Sequence, residues 1–307
     1  MITTVRNEAA TADRLIRSIR DQNRVPDEWL VVDGCSTDGT AEIFEGEPRC
    51  RVIREAGNIA RARNLAVKEA IGEVIAVIDG GCAADPDWLD RLVNPMERGQ
   101  ADVAAGSTEP EIVRPFDAAQ WVLLDQFQMA ALGIRKPALS SRSVAFLRTA
   151  WERCRYPEWL DHSEDAWLFE QWRQLGLRIL RVPEAVVEWT LRATVGQWFK
   201  QHFRYMRGQG QARLFGRRQL ARILLYGTIG ALLLGGVRVP WSALAGVAAW
   251  GSYLGLSLVR FPAAVRGTGP LFKVATLAWL PVMLLTMDVA KSAGYLRGRL
   301  GRMASHR

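Results

Sequence analysis

The sequence predicts an α/β domain with a mostly parallel central sheet, followed by C-terminal transmembrane helices. Two observations predict the domain: short apolar runs end in an aspartate and a glycine, and strand and helix periodicities alternate along the first part of the chain. The uneven distribution of charged residues along the chain predicts the transmembrane helices. Residues 1–191 carry 23 Lys or Arg and 31 Asp or Glu, whereas residues 192–307 carry 17 and one. The two parts are therefore expected to meet different solvents.

Two apolar runs define the predicted sheet. Residues 74–78 are all apolar and precede Asp79, and residues 29–32 precede Asp33. Continuous apolar runs of this length are typical of strands buried on both faces of a parallel sheet. Ligands of such sheets bind at the carboxyl edge of the strands, so we expect both aspartates to lie at one binding edge.

The other predicted elements follow in chain order. Caps and turn residues at positions 36–40 predict a short helix to Phe44, and Asp85-Pro86-Asp87 predicts the start of another helix because first-turn acidic residues favour the helix dipole. The remaining expectations are a strand at 2–5, a helical stripe at Leu15, Ile16 and Ile19, a strand at 51–54, and a helix through Ala60, Leu65 and Ala66.

Three uncharged stretches lie in the basic part of the chain. Residues 239–259 contain no charge over 21 positions, which is long enough to span a bilayer as a helix. Residues 223–237 are 15 uncharged positions between two arginines, and residues 274–287 are 14 and include Pro281. The second can span if its arginines snorkel. For the third, a span, a re-entrant element and an interfacial helix all stay open, as does a buried helical core for the whole set.

Charge also predicts orientation and partners. Arginines precede residues 223–237 and follow residues 239–259, and only Arg238 lies between these two stretches, so both ends of this hairpin are expected on the cytoplasmic side. The long uncharged stretches argue against a nucleic-acid-binding arm. The start of the sequence has no signal-peptide pattern. We therefore expect a multi-pass protein of the inner cell membrane with a cytoplasmic catalytic domain.

Four motifs in the first part of the chain carry a family resemblance. In order and spacing they resemble the donor-binding half of family-2 glycosyltransferases, which have the GT-A fold and bind a nucleotide sugar at the carboxyl edge of the sheet. The motifs are Val5-Arg-Asn-Glu8, residues 31–40 (VVDGCSTDGT), Ala60-Arg-Ala-Arg-Asn64 and Ile78-Asp-Gly-Gly-Cys82. The resemblance implies a catalytic domain at 1–210. The uncharged stretches predict a membrane region at 211–307, with helices near 220–237 and 239–260 and a third apolar segment at 271–290, spanning or interfacial.

The resemblance also implies site residues on the donor side. Asp33 would hold the nucleoside and Asp79 the metal-bound diphosphate, with Asn7, Glu8 and Arg63 completing the donor site. Family members usually carry Asp-x-Asp, and here Gly81 replaces the second aspartate. One carboxylate, diphosphate oxygens and water can still hold a divalent cation, Mg²⁺ or Mn²⁺. Weaker metal binding, or a mechanism that depends little on a metal ion and is assisted by Arg63, also stays open.

Two further motifs resemble the acceptor side of the family. Glu164-Asp165 resembles the Glu-Asp motif whose aspartate is the general base, which implies Asp165 as the base of an inverting transfer to a hydroxyl group. The segment at 201–205 (QHFRY) resembles the Gln-x-x-Arg-Trp motif, with tyrosine in place of tryptophan. It implies Gln201, Arg204, Tyr205 and Arg207 on the acceptor or diphosphate side.

Several of these residues also allow an interpretation without a role in catalysis or binding. First-turn acidic residues such as Glu164 and Asp165 also suit a helix dipole alone, and Gln201 and Arg204 also suit a solvated helix face. Five tryptophans can either stack a sugar or pack a core: Trp159, Trp167, Trp172, Trp189 and Trp198. At the level of function, the preferred prediction is transfer of a sugar from a nucleotide-diphosphate donor to a lipid-linked or cell-envelope glycan. The alternatives are a catalytically impaired membrane binding protein of the same fold and a nucleotidyltransferase.

Overall fold

The computed structural model describes residues 1–124 and 139–304, with side chains through residue 301. The chain divides into two compact units. The first unit comprises Met1–Glu111 and Leu139–Thr190, and the second comprises the described residues of 112–124 and 191–304. Helices are labelled in chain order across both units.

The described part of the first unit contains one eight-stranded sheet in the order β3-β2-β1-β4-β7-β6-β8-β5. Four of its neighbouring pairs are parallel and three are antiparallel, so the predicted α/β class is confirmed and the sheet is mixed. The strands are β1 Ile2–Val5, β2 Trp29–Asp33, β3 Cys50–Arg54, β4 Val74–Asp79, β5 Cys82–Ala84, β6 Val103–Pro110, β7 Val144–Leu147 and β8 Ile179–Trp189.

Strands β1, β2 and β4 bring the two predicted aspartates to one edge. β1 lies between the other two and is parallel to both. Val5 pairs in register with Asp33, and Thr4 pairs with Asp79. All five residues of β2 are buried, as expected for a central strand covered on both faces. The expectation that both aspartates lie at one edge of the sheet is therefore confirmed, and binding at this edge stays a prediction.

Helices connect the strands of the first unit and cover the sheet. Their bounds agree with the predicted helices up to residue 97, whereas the sequence analysis had assigned no elements between residues 98 and 163. That interval contains β6, β7 and a helix of this unit. The helices are α1 Ala9–Arg20, α2 Thr40–Glu45, α3 Ile59–Glu69, α4 Trp88–Glu97, α6 Arg148–Arg153 and α7 Glu164–Gln174.

The described part of the second unit is helical. Its helices are α5 Pro115–Leu123, α8 Val195–Gln211, α9 Gly216–Gly235, α10 Pro240–Ser257, α11 Phe261–Ala264 and α12 Pro270–Ala304. Glycines let α8 and α12 pack closely. A Cβ at Gly294 would lie 2.3 Å from the Phe203 carbonyl oxygen, and one at Gly298 would lie 2.1 Å from that of Arg207. No larger residue fits there without separating the two helices.

A buried ionic cluster joins three helices of the second unit. Asp288 of α12 is 1% exposed. Its Oδ1 lies 2.8 Å from Nε of Arg222 in α9, and its Oδ2 accepts hydrogen bonds from the hydroxyls of Tyr226 and Tyr253, at 3.0 and 2.9 Å. Because Asp288 is paired, it does not end the apolar helix, and α12 is much longer than the predicted 14-residue stretch.

Two helices of the described residues are long and apolar enough to cross a membrane: Pro240–Ala264, with 25 residues, and Pro270–Gly301, with 32 residues. This finding rests on the length and composition of the helices, and the core helix of a soluble protein can meet the same criteria. The second range contains Pro281 within a continuous helix. The helix Gly216–Gly235, which overlaps the stretch predicted at 223–237, is not among the helices that meet these criteria of length and hydropathy.

Candidate active site

Asp33 organises the turn that follows β2. Its side chain is almost fully buried, at 1% exposure. Oδ2 accepts a hydrogen bond from the backbone N–H of Ser36 at 2.8 Å, and Oδ1 accepts one from the Ser36 hydroxyl at 2.5 Å. Cys35, between them, has a left-handed backbone with φ +59°. A carboxylate accepts about four hydrogen bonds, and these two bonds to Ser36 leave the role of Asp33 toward a nucleoside a prediction.

Asn7 and Glu8 join the loop after β1 to the loop after β2. The Asn7 backbone N–H donates to the Ser36 hydroxyl at 2.9 Å, and the Asn7 side-chain oxygen accepts from the Thr37 N–H at 2.9 Å. The Glu8 N–H donates to the Thr40 hydroxyl at 2.8 Å. These bonds hold the two loops together at the sheet edge where a nucleotide is expected to bind.

Arg63 of α3 connects the donor-side aspartate to the acceptor-side glutamate. It is 2% exposed, one of its terminal nitrogens lies 2.7 Å from Oδ1 of Asp79, and the other forms an ion pair with Glu164. Its guanidinium also lies 5.5 Å from the ring centroid of Tyr156. The sequence analysis predicted Arg63 in the donor site. That role stays a prediction, and the structure adds that Arg63 bridges two predicted site residues separated by 85 positions in the sequence.

The Arg63 guanidinium pairs with the carboxyl groups of Asp79 and Glu164, and Asp165 is a third acidic residue next to Glu164 in the sequence. Burial alone would lower the pKa of Arg63, but Asp79 and Glu164 raise it, so Arg63 stays charged. Burial raises the pKa of Glu164 to about 7; Arg63 opposes this shift and Asp165 adds to it. Burial is thus the larger influence on Glu164, and it raises the pKa of this carboxyl group even though Arg63 pairs with it.

Asp165 has a different environment from Glu164. It is partly exposed, whereas Glu164 is 5% exposed. Its Oδ1 accepts a hydrogen bond from the Ala166 N–H at 2.7 Å, and its Oδ2 accepts one from the Ser141 N–H at 3.3 Å. Two backbone N–H donors orient the carboxylate. A partly exposed, oriented carboxylate at the start of α7 suits a general base.

The turn after β4 brings Gly81, two residues after Asp79, close to the carboxylate of Glu8. A Cβ at Gly80 would lie 2.8 Å from a methyl carbon of Val5, so this position needs glycine, and a Cβ at Gly81 would lie 3.5 Å from Oε2 of Glu8. The Asp79 side chain is 26% exposed. In the described part of the chain no group of three or more His, Cys, Asp or Glu residues is placed to hold a metal. The available acidic groups fit Mg²⁺ or Mn²⁺ bound largely through substrate phosphates and water.

The predicted acceptor or diphosphate residues of the second unit lie on α8. Gln201 is 7% exposed; its amide nitrogen donates to the Tyr205 hydroxyl at 3.2 Å and its oxygen accepts from Nε of Arg192 at 3.0 Å. Arg204 is exposed and Arg207 is partly buried. Gln201 thus links the side chains of Arg192 and Tyr205 by hydrogen bonds within this unit. The proposed substrate roles of all four residues stay predictions.

Comparison with known proteins identifies the family. The sequence model of glycosyl transferase family 2 matches residues 1–138. Residues 1–138 belong to glycosyl transferase family 2. All four donor motifs lie in this range, so the resemblance drawn from them is confirmed, and the chain is a glycosyltransferase. The Glu164-Asp165 and Gln201–Tyr205 motifs lie outside the matched range.

Similar proteins support the same family. The chain is 25% identical over 252 residues to the glycosyltransferase AglE of Haloferax volcanii, covering 73% of this chain and 76% of that protein. It is 29% identical over 197 residues to the succinoglycan biosynthesis protein ExoO of Rhizobium meliloti, covering 58% and 56%. It is 32% identical over 104 residues to TuaG of Bacillus subtilis, a putative teichuronic acid biosynthesis glycosyltransferase, covering 32% and 40%. The chain thus spans about half the length of the last two.

A solved structure supports the fold. The mannosyltransferase PcManGT of Pyrobaculum calidifontis, in complex with GDP-Man and Mn²⁺, has a TM-score of 0.57 to this chain at 18% identity, covering 97% of this chain and 85% of that one. This similarity confirms the predicted GT-A fold.

Sequence reasoning missed several residues that shape the glycosyltransferase site. Ser36 holds Asp33, and its place in the motif at residues 31–40 was the signal that could have identified it. Ser141 orients Asp165 from 24 positions away, and Tyr156 lies beside Arg63. For these two, no local pattern in the sequence indicated a role.

Proposed function

We propose that this chain is a membrane-associated inverting glycosyltransferase that moves a sugar from a nucleotide-diphosphate donor to a hydroxyl group of a lipid-linked or cell-envelope glycan. One observation carries the proposal: Arg63 pairs with Asp79 on one side and with Glu164 on the other. The predicted donor carboxylate and the helix start that carries the predicted base are therefore parts of one connected cluster. Such an arrangement suits a reaction in which donor and acceptor must be aligned.

The proposed mechanism divides the work between two carboxylates. The acceptor hydroxyl attacks the anomeric carbon from the face opposite the leaving nucleoside diphosphate, and Asp165 takes the hydroxyl proton. The loops joined by Asn7 and Ser36 hold the nucleotide, with Asp33 on the nucleoside. Asp79 would hold a divalent cation, and the chemistry that such a cation would supply is neutralisation of charge on the diphosphate. Glu164 keeps Arg63 in place and takes no proton from the acceptor.

The donor and the cation are proposed by class. The structure of PcManGT contains GDP-Man and Mn²⁺, and the same two classes of ligand, a nucleotide-diphosphate sugar and a divalent cation, suit Asp33, Asp79 and the nearby carboxylate of Glu8. By motif resemblance, Gln201, Arg204, Tyr205 and Arg207 are proposed on the acceptor or diphosphate side.

The acceptor and the location are inferred from the relatives and the helices. The names of ExoO and TuaG refer to succinoglycan and teichuronic acid, both polysaccharides, so a glycan of the cell envelope is the proposed acceptor class. The two long apolar helices favour a membrane location. We propose residues 1–210 as the catalytic domain on the cytoplasmic side of the inner membrane and 211–307 as a multi-pass membrane region.

A panel of nucleotide sugars tests this function. Membranes containing the full chain are incubated with Mg²⁺ or Mn²⁺ and each of the common UDP, GDP and dTDP sugars, and release of nucleoside diphosphate is measured with and without a lipid extract. Release from one donor class, absent in an Asp79→Asn variant, is the expected result. Binding of a donor without release would favour the impaired binding protein, and release of inorganic pyrophosphate from a nucleoside triphosphate and a sugar phosphate would favour a nucleotidyltransferase.

A further inference from the structure

A cavity of about 220 Å³ lies in the first unit, between α3 and the segment 151–158 that begins in α6. Arg61, Asn64 and Lys68 of α3 line it, and they share one face of the helix because they follow each other at intervals of three and four residues. Trp151 and Arg155 line it from the other segment. None of the described residues that line the cavity is among the predicted donor-side or acceptor-side residues, so the cavity is separate from the candidate active site.

The wall of the cavity is held together by Asn64, which is 9% exposed. Its side-chain oxygen accepts hydrogen bonds from Nε1 of Trp151 at 2.9 Å and from the Tyr156 N–H at 3.1 Å. Its amide nitrogen donates to the Tyr156 carbonyl oxygen and to Oε1 of Glu158, both at 2.9 Å. These four bonds fix the segment 151–158 against α3. A wall that is fixed in advance loses little entropy when a ligand binds.

Both acidic residues of the wall already have polar partners. Oε1 of Glu55 accepts a hydrogen bond from Nε of Arg61 at 2.6 Å, and Oε1 of Glu158 accepts one from the Asn64 amide at 2.9 Å. The charge of Arg61 is therefore matched by Glu55. The other two basic residues of the wall remain to be considered.

Lys68 and Arg155 provide the positive charge that remains. Three basic and two acidic residues line the cavity, so its wall carries a net positive charge. Lys68 and Arg155 are exposed, and neither side chain forms a hydrogen bond or an ion pair with any residue that the structure describes. The Arg155 guanidinium lies 4.5 Å from the centroid of the Trp151 ring, which orients it. The cavity thus presents two cations, from two different elements, to an anion.

The size and the chemistry of the cavity select the type of anion. Pockets for drug-sized ligands have about 300–1,000 Å³, so this smaller volume suits a small group and not a whole nucleotide sugar. A guanidinium offers paired N–H donors and an ammonium offers a point charge, and a tetrahedral phosphate has enough oxygens to accept from both. A carboxylate has two oxygens, and the fork of one arginine occupies both. Leu65 and Trp151 add apolar surface to the wall for a short carbon chain.

We propose that this cavity binds a phosphate group with a short organic portion, held between Lys68 and Arg155. The phosphate belongs either to a free phosphorylated molecule or to the headgroup of an anionic lipid, since both present the same chemistry to the two cations. The site is additional to the nucleotide site and does not depend on the proposed function.

Acetylation of individual lysines tests the proposal on the full chain in detergent. The rate at which an acetylating reagent modifies Lys68 is measured by mass spectrometry in the presence of glycerol 3-phosphate, inorganic phosphate or acetate, at equal ionic strength so that screening stays constant. At a glycerol 3-phosphate concentration of about four times its Kd, the rate should fall about fivefold. Acetate should leave the rate nearly unchanged. Lys200, an exposed lysine of α8, is the internal control and should react at the same rate throughout.

Variants of Arg155 test whether both cations hold the phosphate. Arg155→Gln removes one cation and leaves the labelled lysine in place, so the affinity for glycerol 3-phosphate, taken from the concentration dependence of Lys68 protection, should fall about tenfold. Arg155→Lys keeps the charge and should restore part of the affinity. The matched control is Arg98→Gln, which removes another exposed arginine of the same unit and should keep the wild-type affinity.

Vesicles distinguish the two sources of the phosphate. The full chain is placed in phosphatidylcholine vesicles with or without phosphatidate, and Lys68 acetylation is measured again. A slower rate with phosphatidate than without it assigns a lipid headgroup, whereas protection by glycerol 3-phosphate alone assigns a free phosphorylated molecule. An acetylation rate that neither probe changes, equal protection by acetate, or wild-type affinity in Arg155→Gln overturns the proposal. Because no sugar transfer is measured, these outcomes leave the proposed function to its own test.

Discussion

Glu164 should make the first unit less stable as pH rises from about 4.5 to 7. In the unfolded chain its carboxyl group ionises near 4.5, whereas burial raises its pKa in the folded chain to about 7. Across that window the unfolded state releases a proton that the folded state retains, so the free energy of unfolding falls with rising pH and levels off above about 7. A difference of roughly 2.5 pKa units corresponds to roughly 3 kcal/mol. Glu164→Gln mimics the protonated form and should remove this component.

Thermal unfolding of the full chain in detergent between pH 4.5 and 8 measures the effect. For a unit of about 160 residues, about 2–4 °C per kcal/mol predicts that the wild-type melting temperature falls by roughly 6–12 °C more than that of Glu164→Gln across the window. Glu170→Gln, which removes a partly exposed carboxylate of the same helix, should keep the wild-type pH dependence. Parallel curves for wild type and Glu164→Gln would refute the assignment of a raised pKa to Glu164.

Three further predictions concern other contacts. Arg63→Met leaves the carboxylates of Asp79 and Glu164 without their buried cation, so urea unfolding should show a loss of about 3–5 kcal/mol, and a loss below about 1 kcal/mol would contradict the bridging role. Asp33→Ala should lower nucleoside diphosphate affinity in calorimetry about tenfold or more, whereas Ser36→Ala, which keeps the carboxylate, should lower it less; equal affinity in Asp33→Ala and wild type counts against this site. Gly298→Leu places a side chain against α8 and should lower the melting temperature, while Gly301→Leu, where a Cβ would meet nothing within 4 Å, should not.

The donor half of the fold could be predicted because its signals are local. Strands β2 and β4 are continuous apolar runs that end in an aspartate, since parallel strands covered on both faces need apolar residues at every position. The motif residues Asp33 and Asp79 follow directly from those runs. A parallel sheet brings their carboxyl ends to one edge whatever the later strands do, so the edge was predictable without knowing the full topology.

The second half of the sheet lacks such signals. β6 includes Gly106, where a Cβ would lie 2.0 Å from the Ser143 hydroxyl and 2.2 Å from the Ala185 carbonyl oxygen, so close packing between distant strands, and not an apolar pattern, fixes this strand. β8 contains Pro183 and several charged residues, which obscure its periodicity. Its pairing with β6 depends on contacts far apart in the sequence, which local patterns do not encode.

In the candidate site, too, the sequence motif was predictable, whereas a contact between residues far apart in the sequence was not. The Glu164-Asp165 motif was visible, but nothing near it in the sequence indicated that Glu164 pairs with Arg63, 101 positions away. This contact distinguishes two adjacent acidic residues that look equivalent in the sequence. Glu164 is buried against a guanidinium, whereas Asp165 is partly exposed and oriented by backbone N–H groups. For this reason we propose Asp165, and not Glu164, as the base.

The rate of sugar transfer by Asp165→Asn tests the central claim most directly. With the donor found in the nucleotide-sugar panel and a lipid or glycan acceptor, Asp165→Asn should slow transfer by roughly 10²- to 10⁴-fold while donor affinity stays at the wild-type value, because the amide keeps the shape of the side chain and removes the base. Glu170→Gln, on the same helix, should transfer at the wild-type rate. Near-normal transfer by Asp165→Asn would contradict the claim that this carboxylate takes the acceptor proton.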